Sequence, residues 1–141
     1  MRKTTYILVT ESYVANEQTV GVRRVLAGLR AGCLPLGIET GRYTGTPYYQ
    51  RTCRLCDLGE VEDQHHFLII CPTFKDLRLQ LFNYCYSLSQ TFFELPMASK
   101  THFILNNYNS LIAKLLYRMY TQRQLLLFSH CLLYTSDAAD E

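Results

Sequence analysis

The chain has no uninterrupted apolar run approaching the ~20 residues needed to cross a bilayer, and Leu125-Leu-Leu-Phe128 is far too short. A secretory leader is also missing. Arg2 and Lys3 precede only a brief stretch, Thr4 to Thr10, and no small-residue cleavage site follows. Internal repeats and low-complexity tracts are absent. These absences argue against membrane association and secretion, and the expected compartment is intracellular, nucleus or cytoplasm.

What remains is 141 residues, 48% hydrophobic and 18% charged, a composition that folds rather than staying disordered. The length fits one domain of ordinary size. Six cysteines would suit disulfides in a secreted protein. Without a leader the expected setting is reducing, and closely spaced cysteines there read as metal ligands.

One stretch carries most of the chemistry. Cys53-Arg-Leu-Cys56 is followed by Val61-Glu-Asp-Gln-His-His-Phe67 and closed by Cys71-Pro72. Zinc takes thiolates and a neutral imidazole in a tetrahedral shell, and four protein ligands leave no position for a reacting water. A Cys-x-x-Cys turn offers two sulfurs from one side, so Cys53, Cys56 and Cys71 need one histidine. His65 gives Cys-x2-Cys-x8-His-x5-Cys and His66 gives Cys-x2-Cys-x9-His-x4-Cys. His66 is preferred, with His65 as a neighbouring group. The expectation is one structural Zn2+ on Cys53, Cys56, His66 and Cys71. Cys33 and Cys85 lie on apolar faces and read as core thiols, while His102 and His130 have no partner cluster.

The periodicity predicts a mainly α protein, a small helical domain with an irregular zinc-knuckle loop. Thr4 to Val14 reads as an extended or irregular opening. Glu17 to Ala31 has Val22, Val25, Leu26 and Leu29 at helical spacing, and Gly32 falls where a C-capping glycine would stand. From Leu34 to Gln50, prolines and glycines break the pattern and predict an ordered loop. A short helix beginning near Asp63 would put the metal histidine in its first turn, with the acidic Glu60-Val-Glu-Asp63 as its cap. Thr73 to Leu88, Ser99 to Leu105 and Asn109 to His130 complete the helices. The organisation expected is 1–44 with an amphipathic basic helix, 45–76 as the knuckle, 77–130 as a helical region and 131–141 as foreign. That last stretch, Cys131-Leu-Leu-Tyr-Thr-Ser-Asp-Ala-Ala-Asp-Glu141, resembles a frame translation of a transposase-end sequencing adaptor. Setting it aside leaves nine acidic residues against fourteen basic, a net charge of +5. The chain before it is not expected to stop at a natural C-terminus.

Charge is unevenly spread. Through Arg54, eight basic residues face only Glu11, Glu17 and Glu39, while the Asp57 to Asp76 stretch is acidic. A positive half can follow a phosphate backbone, and the arginine fork grips phosphate oxygens in pairs. Arg42, Arg51 and Arg54 are the candidate phosphate contacts, because a metal would hold their backbone. Tyr43, with Tyr48 and Tyr49, can stack on unpaired bases.

The runs Leu29-Arg-Ala-Gly32, Ile38-Glu-Thr-Gly-Arg-Tyr43, Arg51-x-Cys53-x-x-Cys56, Val61-Glu-Asp63, His66-Phe-Leu68 and Cys71-Pro72 resemble the region after the polymerase domain of non-LTR (LINE-type) retrotransposon reverse transcriptases. The likeness spans about Tyr6 to Arg78, with a weaker echo to about Arg123. It implies a CCHC zinc segment with His66 as the imidazole ligand, although the nine-residue spacer is long for that pattern. It also implies that RNA or DNA is the partner, held as template or target during target-primed reverse transcription. The parent would be an RNA-directed DNA polymerase whose polymerase domain this chain lacks. No catalysis is expected of this piece, because the paired aspartates of a polymerase and an endonuclease-like array of His, Asp and Glu are both absent. Two other readings compete: a zinc-supported protein-interaction domain, presenting Leu125-Leu-Leu-Phe128, and a retroelement fragment without independent function.

Overall fold

The computed structural model describes residues 20–107 and 109–139, with side chains through 129. The expected opening stretch, the first residues of the Glu17 helix, Arg2 and Lys3, and the side chains of His130 and Cys131 lie outside the described residues. The elements in order are α1 (Val20–Ala31), α2 (Gly37–Tyr43), a 3-10 turn (Tyr48–Gln50), a π-helical turn (His66–Ile70), a 3-10 turn (Pro72–Phe74), α3 (Lys75–Leu88), a 3-10 turn (Phe92–Glu94), α4 (Met97–Asn106) and α5 (Ser110–Ala139). The protein is mainly helical, with an irregular cysteine-rich segment, and the described residues include no strand beyond one isolated bridge, Thr52 to Val61.

Helix α1 buries Val22, Val25, Leu26 and Leu29, the stripe its spacing predicts, and packs along α5. Gly32 ends it with φ of 71°, the left-handed conformation that glycine adopts without penalty. Cys33 N–H reaches Gly28 O at 2.9 Å and Gly32 N–H reaches Leu29 O at 3.3 Å, the paired bonds of a Schellman cap. The cap turns the chain outward, so Cys33 is exposed rather than a core thiol. Cys85 does lie in the core, where burial pushes its thiol up to about 12 and keeps it neutral.

Helix α5 supplies Ile112, Leu115, Leu116 and Met119 to the same core, and α3 packs on it through Leu81 and Cys85. Each fully buried aliphatic side chain contributes about 2 kcal/mol. Phe92 closes this side, its ring 5.2 Å from Phe82 and 5.3 Å from Phe103. The α5 backbone continues to Ala139, past the expected end at His130. Neither proline nor glycine stands after Gly59 in that direction until the chain ends, apart from Pro72 and Pro96, so no breaker interrupts the helix. Among the described residues no helix is long and apolar enough to cross a membrane.

The loop expected from Leu34 to Gln50 contains a helix instead, α2. Its glycines mark close approach rather than a break. A Cβ on Gly41 would fall within 2.8 Å of Arg51 Cδ, so the glycine makes room for that arginine.

Candidate metal centre

The cysteine pair sits on a short hairpin. Cys53 N–H donates to Glu60 O at 2.9 Å and Glu62 N–H donates to Arg51 O at 3.0 Å, on either side of the Thr52–Val61 bridge. In the turn, Leu55 N–H points at Cys53 Sγ, 3.4 Å away. Such a bond favours the thiolate over the thiol.

The other two candidate ligands flank the π-helical turn. Asp63 Oδ1 accepts from His66 N–H at 2.7 Å, so Asp63 caps the turn that opens the helix. Cys71 N–H then reaches back to His66 O at 2.7 Å, a five-residue step. This wider turn brings His66 and Cys71 together across their four-residue spacer. His65 is turned elsewhere, its Nδ1 2.9 Å from Thr101 Oγ1 on α4. Thr73 Oγ1 donates to Leu55 O at 2.9 Å and ties the two halves together.

The ligand atoms of Cys53, Cys56, His66 and Cys71 all lie within 4.8 Å of one another. Zinc–sulfur and zinc–nitrogen bond lengths require tetrahedral edges of roughly 3.8 Å between sulfurs and roughly 3.6 Å from sulfur to nitrogen. Cys53 Sγ and Cys71 Sγ are 3.9 Å apart, and Cys56 Sγ is 3.4 Å from His66 Nε2. Two edges therefore already have lengths that suit such an ion, and the four donors lie close enough together to hold one metal ion. Cys53, His66 and Cys71 are buried while Cys56 is partly exposed. The Cys53 thiol is pushed up by its hydrogen bond to Cys71 and by burial. Cys71 is held down by the same bond and by those from Thr73. A bound cation would favour the deprotonated form of both sulfurs.

Around this set stand groups that spacing did not reveal. Glu60 Oε2 is 3.2 Å from His66 Nδ1, which fixes the ring with Nε2 toward the sulfurs. Glu62 pairs with Arg123 of α5 through bonds of 2.8 and 2.7 Å, and both are buried. Of the acidic run expected to cap the helix, only Asp63 does so. Arg78, also buried, donates to Leu68 O at 2.8 Å and Phe67 O at 3.1 Å, filling the carbonyl end of the π-helical turn. Burial lowers its pKa, and the charge on Cys71 opposes that shift. A signal for both arginines existed. Arg78 continues the Phe74, Leu81, Cys85 stripe and Arg123 lies four residues after Met119, so each cation stands on a buried helical face.

The candidate phosphate contacts separate. Arg54 is exposed in the turn between two ligands. Arg42 is 65% exposed, in a 3.4 Å pair with Glu39, and Tyr43 is 77% exposed with the Arg42 guanidinium 5.8 Å from its ring centre. Tyr48 and Tyr49 are exposed as well. Arg51 is half-buried, with Nε bonded to Thr46 O at 2.8 Å and Nη1 to Ile38 O at 3.1 Å, so most of its fork holds the loop in place. No family model, curated protein or solved structure matches the chain.

Proposed function

We propose that this chain is a zinc-stabilised nucleic-acid-binding module, a piece of the C-terminal part of a non-LTR retrotransposon reverse transcriptase that helps hold template RNA or target DNA. The observation that carries the reading is the Cys3His cluster, four protein donors gathered for one ion, with Arg54 exposed inside the ligand turn. Zinc is the metal proposed because a donor set of three sulfurs and one imidazole suits it, whereas magnesium and calcium take oxygen ligands. The ion would hold the hairpin and the π-helical turn together and so fix the backbone that presents Arg54. Arg42 and Tyr43, exposed on α2, add a cation and a stacking surface. The module acts by holding, inside the cell, and the chemistry belongs to the missing polymerase domain.

Metal analysis of the purified chain and of Cys56→Ser tests the first half: one zinc per chain, lost in the variant, is expected. Fluorescence anisotropy with labelled RNA and DNA across a salt series tests the second. Affinity should fall steeply with salt, and Arg42→Ala with Arg54→Ala should flatten that slope by about one phosphate contact each. A metal-free folded chain would overturn the zinc reading, and salt-independent or absent binding would overturn the nucleic-acid reading.

The second reading, a zinc-supported protein-interaction domain, draws on Leu125 and Phe128, each 61% exposed on α5. Zinc-dependent folding together with no nucleic-acid affinity would favour it.

A further inference from the structure

A groove of about 380 Å³ lies between α2, the hairpin that carries Cys53 and Cys56, and the face of α5 around Arg123. Its walls mix polar side chains with apolar ones, Pro35, Leu55 and Leu127. Thr40 comes from α2 and Thr44 from its C-cap, Thr46 from the following loop, Thr52 and Arg54 from the hairpin, and Gln124 from α5. Three arginines, Arg51, Arg54 and Arg123, border it against one carboxylate, Glu62. That carboxylate is already occupied, by Arg123 on both oxygens and by Gly37 N–H at 2.6 Å. The groove is therefore positive on balance, and an anion entering it meets no free negative charge.

With Arg51 held by Thr46 O and Ile38 O and Arg123 by Glu62 and Gln124, Arg54 is the cation left for a phosphate. The hydroxyls and amides can meet a base edge, and the apolar side chains offer surface to a base face. The volume sits at the small end of ligand sites, room for one nucleotide and far too little for a duplex. Arg42 and Tyr43 stand on α2 between the lining residues Gly41 and Thr44, and Tyr49 immediately precedes the lining Gln50. None of these three lines the groove itself, whereas the exposed Arg54 does and offers a cation to a neighbouring phosphate.

We infer that this groove seats one unpaired nucleotide, so that the module binds single-stranded nucleic acid in preference to duplex. The inference rests on the nucleic-acid reading above and narrows it. A paired base reaches such a groove only after it is extruded from its stack, whereas an unpaired base does not carry that cost. A neighbouring phosphate on the exposed Arg54 would make a strand bind better than a free mononucleotide.

The test is anisotropy on the full zinc-loaded chain at one salt concentration, with a single-stranded oligonucleotide, its duplex and a free nucleoside monophosphate as competitor. The single strand should bind at least about tenfold more tightly than the duplex, and the mononucleotide should compete only weakly. Gln124→Trp, which fills the groove from an exposed helical position, should bring single-strand affinity down to the duplex level. Thr44→Trp fills it from the C-cap of α2 and is the independent check should one variant misfold. Equal affinity for strand and duplex in the unaltered chain would overturn the inference while leaving the nucleic-acid reading in place. So would groove-filling variants that keep their zinc and helicity and still bind the single strand as before. A mononucleotide that competes as well as the strand would make this a free-nucleotide site instead. Absence of binding to any of the three would remove both readings together.

Discussion

Glu62 and Arg123 stand 61 residues apart in the chain and meet through two parallel N–H···O bonds of 2.8 and 2.7 Å, both side chains buried. Glu62 sits on the hairpin that carries two of the four candidate metal ligands, and Arg123 sits on the long helix that completes the core. The pair therefore docks the metal-bearing segment onto the helical body. A buried ion pair contributes little net stability over an apolar replacement, because both charges must leave water, but it selects one docking geometry.

Breaking one side of that pair leaves a buried charge without its partner. Arg123→Leu is expected to cost about 3–5 kcal/mol in urea unfolding, and Glu62→Leu with Arg123→Leu to recover much of it. The recovery stays incomplete, since Gly37 N–H loses its acceptor. Costs that simply add in the double variant would show that the two residues do not act as a pair.

Metal removal should loosen the whole segment from 53 to 71, because the hairpin and the π-helical turn share few other ties. Stabilisation by bound metal at a thousandfold excess over Kd is about 4 kcal/mol, so a strong chelator should lower the thermal midpoint clearly. Acid should act in the same direction. Thiolates and imidazole must shed protons to bind, so affinity falls as pH is lowered and rises as it is raised through neutrality. A zinc competition titration across pH checks this, and a flat profile would contradict thiolate ligation.

Glu60→Gln removes the charge that orients His66 through Nδ1. Such outer groups affect metal affinity by about ten- to a hundredfold, and the half-exposed Glu60 side chain belongs near tenfold. Asp57→Asn, on the exposed turn, should leave affinity unchanged. Equal effects of the two substitutions would mean that only net charge matters.

Arg51 and Arg42 should behave oppositely. Arg51→Ala loses bonds to Thr46 O and Ile38 O and should cost about 1–3 kcal/mol of stability. Gly41→Ala should do similar damage by pushing the Arg51 stem from its place. Arg42→Ala, at an exposed site, should stay within about 0.5 kcal/mol of the unaltered protein while weakening RNA or DNA binding. Thermal unfolding beside anisotropy separates the two. Destabilisation by Arg42→Ala would deny it a surface role.

Some of this was legible before any coordinates. The apolar periodicity of α1, α3 and α5 marked the helices, and Gly32 marked the end of the first. Cysteine spacing marked three of the four clustered donors, and a histidine separated from Cys71 by four residues marked the fourth. Helix α2 is hidden in the sequence because Gly37 and Gly41 read as breakers, whereas their role is to admit Glu62 and Arg51. Cys33 was misjudged because its neighbours are apolar, although the glycine cap turns it out of the core.

Local physics explains the division. Helical repeat, a capping glycine and the short reach of a Cys-x-x-Cys turn act over a few residues, so the sequence by itself determined a mainly helical protein with a Cys-x-x-Cys turn beside a His and a Cys. Which arginine is buried, which carboxylate meets it and where a groove opens depend on segments brought together from far along the chain. Tertiary structure alone decided that Glu62 pairs with Arg123, that Glu60 orients His66, and that Arg51 is held inside while Arg42 and Arg54 stay outside. Charge and spacing treat these arginines alike; burial and hydrogen bonding distinguish them.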